Sequence, residues 1–265
     1  MVTSFVIHYS KLYKRKELIS RNLEFTTPIW VTEKDFFEFK ESDLNSKNVL
    51  GLSSHKLGIG LGINSRSLVY SRRRSYFQAK ILSLRSKVEK KPNYVLGSLP
   101  TQKKLMKQWL EVQRMHLTAL EKGVGSSDEW ILILEDDAVF NSFDLKNSID
   151  HITNKFSPAS KYWFNLNSGA GLAWTKSDPK PDKFGFYRVK PPSVRCAVAY
   201  FVSAKLSIEI LELIEKYGLP NWLPIDLIYQ AAVQKLKAKT YWQDPPSVLQ
   251  GSESGHFESG FEQFR

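Results

Sequence analysis

Apolar and polar positions change rhythm several times along the chain, and each rhythm predicts an element. In "SFVIHYS" (Ser4 to Ser10), Phe5 and Ile7 alternate with Val6 and His8. Both faces are largely apolar, as in a covered parallel strand. "KLYKRKELISRNLEF" has helical periodicity, with Leu12, Leu18, Ile19 and Leu23 able to share a face. "TPIWVTEKDF" returns to a strand through Ile29, Trp30 and Val31, which gives a β-α-β opening with a right-handed crossover. "TQKKLMKQWLEVQRMHLTALEKG" (Thr101 to Gly123) predicts a helix with Thr101 as cap and Gly123 as stop. Leu105, Trp109, Val112 and Leu120 fall near one stripe of it. His116 lies in this helix and reads as a structural histidine.

The strand "ILIL" follows a turn and runs into "EDD". Beyond it, "SFDLKNSIDHI" reads as a helix and "YWFNLN" as a strand. "SGAGLAWTKSDPKPDKFGF" reads as a long loop. Ala197 to Val202 reads as a strand leading into a helix ended by Gly218. "LPIDLIYQAAVQKL" predicts a helix with Asp226 in its first turn. "AKTYWQ" is a last short strand before an irregular tail. No repeat and no domain boundary is visible. The expectation is one α/β domain over residues 1–265, with a mainly parallel central sheet flanked by helices.

Glu135, Asp136 and Asp137 close the apolar strand, and their crowding raises at least one pKa unless a cation neutralises them. A screened surface turn is one reading. The other is a metal-dependent site, because ligands of open α/β sheets bind beyond the carboxyl ends of strands. Alternation puts Glu135 and Asp137 on one side and Asp136 on the other if the strand persists. Hard oxygen ligands suit Mg²⁺ or Mn²⁺, which also bind diphosphate oxygens.

Composition narrows the field. With 42% hydrophobic and 25% charged residues among 265, the chain reads as globular. Cys196 is the only cysteine, so neither an intrachain disulfide nor a cysteine-rich zinc site can form. The start of the chain lacks the pattern of a secretory signal, and no apolar run is long enough to span a bilayer. A cytoplasmic location is expected. The net charge of +11 favours anionic partners. The densest basic tract, Arg72 to Lys91, reads as a solvated helical face or as a patch for acidic lipid, which would place the protein peripherally on a membrane. Gly58, Gly60 and Gly62 lack the third glycine of a dinucleotide fingerprint and read as a loop. No nucleic-acid motif is present, so nucleic acid is not an expected partner.

"FVIHYSKLYKRKELI", "ALEKG…WILILEDDAVF", "CAVAYFVSAKL" and "LPIDLIYQ…PPSVLQGSESG" follow one another in an order that resembles glycosyltransferase family 25. That group contains lipooligosaccharide and lipopolysaccharide galactosyltransferases. The resemblance spans nearly the whole chain, and the E-D-D block is its specific part. It implies a GT-A fold, a divalent metal (Mn²⁺ or Mg²⁺) and inverting transfer of galactose from UDP-galactose to a glycan or glycolipid acceptor. Residues 1–140 would then be the nucleotide-sugar half and 141–265 the acceptor half.

Carried over by motif, Ile7, His8, Arg15, Arg21 and Glu135 fall on the donor side. Asp137, Glu135 and His256 would serve the metal, and Asp226 and Asp136 would be catalytic, with Asp226 as base. A helix-start cap is the plainer reading of Asp226, and a surface histidine that of His256. Pro246, Gln250 and Ser254 match the terminal P-x-x-x-Q-x-x-x-S pattern. Where many members carry G-C-x-x-S-H before the acidic strand, this chain reads "QWLEVQRMH". That departure motivates a second reading, a protein that binds the donor without turnover. A basic nucleic-acid-binding protein is the third. Trp174, Trp222 and Trp242 could stack on sugars, although tryptophan is more often a core residue.

Overall fold

The computed structural model describes residues 2–35, 99–167, 174–175, 178–194, 196–217, 224–252 and 254–257. The glycine-rich segment and the basic tract from Arg72 to Lys91 lie outside them, as do Gly218 and Trp222.

The opening is β-α-β: β1 (Thr3–His8), α1 (Tyr13–Asn22) and β2 (Pro28–Thr32). The long helix α2 (Leu99–Gly125) leads to β3 (Trp130–Glu135) and the short β4 (Ala138–Phe140). Then come α3 (Ser142–Lys155), β5 (Tyr162–Asn165), β6 (Phe186–Val189), β7 (Ala199–Ser203), α4 (Ala204–Tyr217), α5 (Ile225–Lys235), β8 (Lys239–Gln243) and β9 (Val248–Gln250).

Seven strands form one sheet in the order β2-β1-β3-β7-β5-β8-β6, and β4 pairs with β9 in a second, two-stranded sheet. The expected α/β class holds, but the sheet is mixed rather than mainly parallel. The pairs β1–β2, β1–β3 and β5–β8 are parallel, whereas β3–β7, β5–β7 and β6–β8 are antiparallel. The physical reason is that a strand covered on both faces shows an unbroken apolar run whichever way it points. β7, "AYFVS", is buried at every position and runs against both of its neighbours.

The sheet separates two cores. Phe5, Ile7, Ile131, Ile133, Tyr200 and Val202 pack on one face with Met115 and Leu120 of α2, Ile210 of α4 and Ile228 of α5. Val6, Leu132, Leu134 and Phe201 pack on the other face with Ile19 of α1 and Ile149 and Ile152 of α3. A one-residue slip of β1 or β3 would exchange these faces. Full burial of each such side chain contributes about 1.5–3 kcal/mol, so the register is firmly set.

Several local expectations shift. The inward stripe of α1 is Arg15, Ile19 and Leu23, while Leu18 is exposed. Gly123 does not end α2, which continues to Gly125. A Cβ at Gly123 would sit 2.7 Å from the Ile131 side chain, so glycine there permits close approach of the helix to β3. The strand expected over Ala197 to Val202 runs Ala199–Ser203. β6, β4 and β9 are additions, each only three or four residues long. Among the described residues, no helix is long and apolar enough to cross a membrane.

Candidate active site

β1 lies between β2 and β3, parallel to both. The chain leaves β1 for β2 on one side and then returns to β3 on the other. The carboxyl ends of β1 and β3 therefore flank a topological switch point, where open sheets bind ligands. His8, Tyr9 and Ser10 emerge from one strand there, and Glu135, Asp136 and Asp137 from the other.

β3 stops at Glu135, and Asp136 and Asp137 form a turn into β4. Strict alternation ends with the strand, so the three carboxylates take three separate environments. Glu135 lies on the α2 side of the sheet, with Oε1 3.0 Å from His116 Nε2. His116 is fully buried, and its Nδ1 lies 3.0 Å from the Tyr200 hydroxyl. Tyr200 in turn donates to the Tyr229 hydroxyl at 3.1 Å. The histidine is thus structural in its burial, as expected, yet it ends on an acid of the site.

Asp136 is engaged at both oxygens. Arg15 Nη1 donates to Oδ1 at 2.9 Å, while His8 Nδ1 lies 3.1 Å from Oδ2 and the Tyr9 N–H donates to it at 3.2 Å. His8 and Arg15, expected on the donor side, are therefore brought together with Asp136, expected to be catalytic, and all three are buried. Arg15 reaches this place because it heads the inward stripe of α1. Its guanidinium also lies 5.0 Å from the Phe257 ring.

Asp137 is held by the tail. Ser252 Oγ donates to Oδ2 at 2.7 Å, and the Gly251 N–H donates to the Asp137 carbonyl at 2.7 Å. Oδ1 is buried and has no hydrogen-bond partner. Burial and then the Glu135 charge push the Asp137 carboxyl up to about 6, against the lowering effect of Ser252. A buried carboxylate oxygen without a partner is costly, which singles Asp137 out among the three acids.

Asp226 stands two residues past the cap of α5, which is Pro224. Asp226 therefore lies in the first turn rather than at the cap position itself. Burial and the Glu135 charge push Asp226 up to about 6, opposed by its own N–H, the Leu227 N–H and His116. Tyr9 is held protonated by burial and by four carboxylates, Glu111, Asp136, Glu33 and Glu135. It can act there only as a neutral hydroxyl.

The remaining expected residues are placed differently. The Ile7 side chain is buried in the core and pairs in register with Glu135. Arg21 sits on the outer face of α1, in an open groove with Tyr13, Lys16, Glu17 and Ser20. His256 is exposed, with Nδ1 2.8 Å from Ser254 Oγ on its own turn. Trp242 is a core residue whose Nε1 donates to the Ser193 carbonyl. Trp174 is exposed and donates to the Pro179 carbonyl.

Sequence reasoning missed Tyr9, Ser10, Glu33 and Ser252. Glu33 had a readable signal: it is an acid directly after a predicted parallel strand. Ser252 had none, since its role depends on the tail folding back through β9.

Among the described residues, no three His, Cys, Asp or Glu side chains converge tightly enough to cage an ion by themselves. Mg²⁺-type ions do not require such a cage, since one or two carboxylates completed by phosphate oxygens suffice. Glu135 and Asp137 fit that pattern. Asp136 does not, because both its oxygens are taken. Compared with protein-family models the chain finds no match, and compared with curated proteins it finds none either.

Proposed function

We propose that the chain is a metal-dependent glycosyltransferase that transfers a sugar, galactose from UDP-galactose as the resemblance implies, to a glycan or glycolipid acceptor with inversion. The observation that carries this reading is the buried, unpartnered Oδ1 of Asp137 beside Glu135, at the switch point of a sheet. Around it, the family 25 resemblance supports a GT-A-like reading of the fold. The basic surplus of +11 suits an anionic, lipid-borne acceptor.

In this reading Glu135 and Asp137 would hold Mn²⁺ or Mg²⁺, which would supply charge neutralisation for the departing diphosphate. Arg15 and His8 neutralise Asp136, so the switch point does not present three free negative charges to a phosphate. Asp226, raised to about 6, is ionised near neutral pH yet basic enough to accept a proton. It takes the proton of the acceptor hydroxyl as that oxygen bonds to the anomeric carbon. The bond from that carbon to the diphosphate oxygen breaks, and its electron pair leaves with the diphosphate. Tyr9, held neutral, can donate a hydrogen bond to the leaving group.

A panel of UDP-sugars with Mn²⁺, read by donor hydrolysis and by transfer to glycan acceptors, tests the reading. Turnover of one donor, lost in the Asp137→Asn variant, is the expected result. Binding of UDP with no turnover of any donor would favour the degenerate reading. No nucleotide binding at all would remove both.

A further inference from the structure

Glu33 follows β2 directly, and His8 pairs with Thr32 across β1 and β2. Its carboxylate therefore stands beside Tyr9 and Ser10, at the same carboxyl edge as the acidic turn. The Ser10 N–H donates to Oε2 at 3.0 Å, and the Ser10 hydroxyl donates to Oε1. These two bonds fix the carboxylate plane without exhausting it, since two carboxylate oxygens offer about four acceptor positions. Burial alone would raise the Glu33 pKa, but the Ser10 hydroxyl and N–H, with the Glu33 N–H and the Lys34 charge, more than offset it, and the net direction is downward. Glu33 is thus a pre-oriented ionised acceptor.

Neighbouring strands lie about 4.8 Å apart, so the end of β2 is roughly 10 Å from the end of β3 across β1. A nucleoside diphosphate held at Glu135 and Asp137 through a divalent ion would extend its sugar along this edge. An ionised acceptor at the end of the second parallel strand suits a vicinal diol, which brings two donors and no charge. A phosphate would be repelled there.

We propose that Glu33 is the ribose-recognition residue of the donor site, accepting hydrogen bonds from the 2′- and 3′-hydroxyls of a ribonucleoside diphosphate. This rests on the nucleotide-sugar reading above. It adds a polarity to that reading: the ribose lies over β2 and the diphosphate over β3. The competing role for Glu33 is a staple that ties the β1–α1 turn to β2. The two roles separate because a staple does not sense a ligand's 2′-hydroxyl.

Calorimetry on the full chain in Mn²⁺, with UDP, 2′-deoxy-UDP and 3′-deoxy-UDP, decides between them. The wild type should bind UDP about 10–100-fold more tightly than either deoxy analogue, the range of one hydrogen bond to a charged group. Glu33→Gln should lose that preference by weakening UDP while leaving the deoxy analogues nearly unchanged. Ser10→Ala removes the staple's hydroxyl, keeps the carboxylate and should retain the preference for ribose. Equal loss of preference in Ser10→Ala and Glu33→Gln would overturn the assignment in favour of the staple. A Glu33→Gln variant that still prefers UDP over its deoxy analogues would overturn it too. If the wild type binds UDP and the deoxy analogues equally, this assignment alone falls. If it binds none of the three, the nucleotide-sugar reading falls with it.

Discussion

His116 Nε2 lies 3.0 Å from Glu135 Oε1, joining the middle of a core helix to the first acid of the site. Glu135 is thereby oriented by a group with no solvent access. Positioning of this kind is felt in ligand affinity as well as in stability. His116→Phe keeps a ring of similar bulk but strips partners from Glu135 and Tyr200. It should cost about 1–3 kcal/mol of stability and weaken Mn²⁺-dependent UDP binding about 10–100-fold. His116→Gln, which can still donate to Glu135, should recover most of the affinity. Thermal melts paired with UDP titrations check this. Equal UDP affinity in the wild type and the Phe variant would reduce His116 to a packing residue.

Asp137 predicts opposite signs with and without metal. Its Oδ1 is buried without a partner, and its charge is opposed by Glu135 and Asp136. In chelator, Asp137→Asn removes that repulsion and should melt at or above the wild-type temperature. With Mn²⁺ and UDP the order should reverse, because a ligand that binds only the folded chain stabilises it by mass action. A variant that melts lower in chelator, or that gains as much from Mn²⁺ and UDP as the wild type, would sink the ligand assignment.

Part of this arrangement is legible in the sequence, for identifiable reasons. The donor-side residues His8 and Arg15 meet Asp136 because β1 and β3 are adjacent parallel strands whose apolar runs are unmistakable. The direction of β7 was not legible, since "AYFVS" is equally apolar read either way. Ser252 was hidden for another reason. Its contact with Asp137 depends on β4 and β9, two three-residue strands too short for any periodicity to show. Arg21 shares the basic helix of Arg15, but six positions along a helix turn it to the outer face.

Gly251 locks the tail over the acids and should tolerate no side chain. A Cβ there would lie 2.3 Å from the Phe257 ring and 2.7 Å from the Asp137 carbonyl. Gly251→Ala must therefore displace Phe257 or the β4–β9 pairing. A loss of about 1–3 kcal/mol, typical of overpacking, is expected, together with faster proteolysis of the tail. The Arg15 guanidinium would lose its contact with Phe257 at the same time. Wild-type melting and wild-type protection of the tail in the Ala variant would show that the tail is not packed as described.

Asp226 offers the sharpest separation of chemistry from binding. Its carboxyl is raised to about 6 by burial and by the Glu135 charge, which outweigh the lowering effect of its own N–H and the Leu227 N–H at the helix start. A base must be unprotonated to act, so turnover should rise with pH through about 6 and level off above it. The linkage sign for stability runs the other way. Between about 4 and about 6 the folded chain retains a proton that the unfolded chain has released, so the contribution of Asp226 to stability falls as pH rises across that window. Asp226→Asn cannot accept the proton and should lower turnover about 10²–10⁴-fold while leaving the UDP dissociation constant nearly unchanged. It should also lose the limb of the pH–rate profile near 6. Single-turnover transfer across pH 5 to 8, with UDP affinity on the same variant, measures both. Near-normal transfer by the Asn variant would eliminate Asp226 as the base. It would move the role to Glu135, since Asp136 is already held at both oxygens by Arg15, His8 and the Tyr9 N–H.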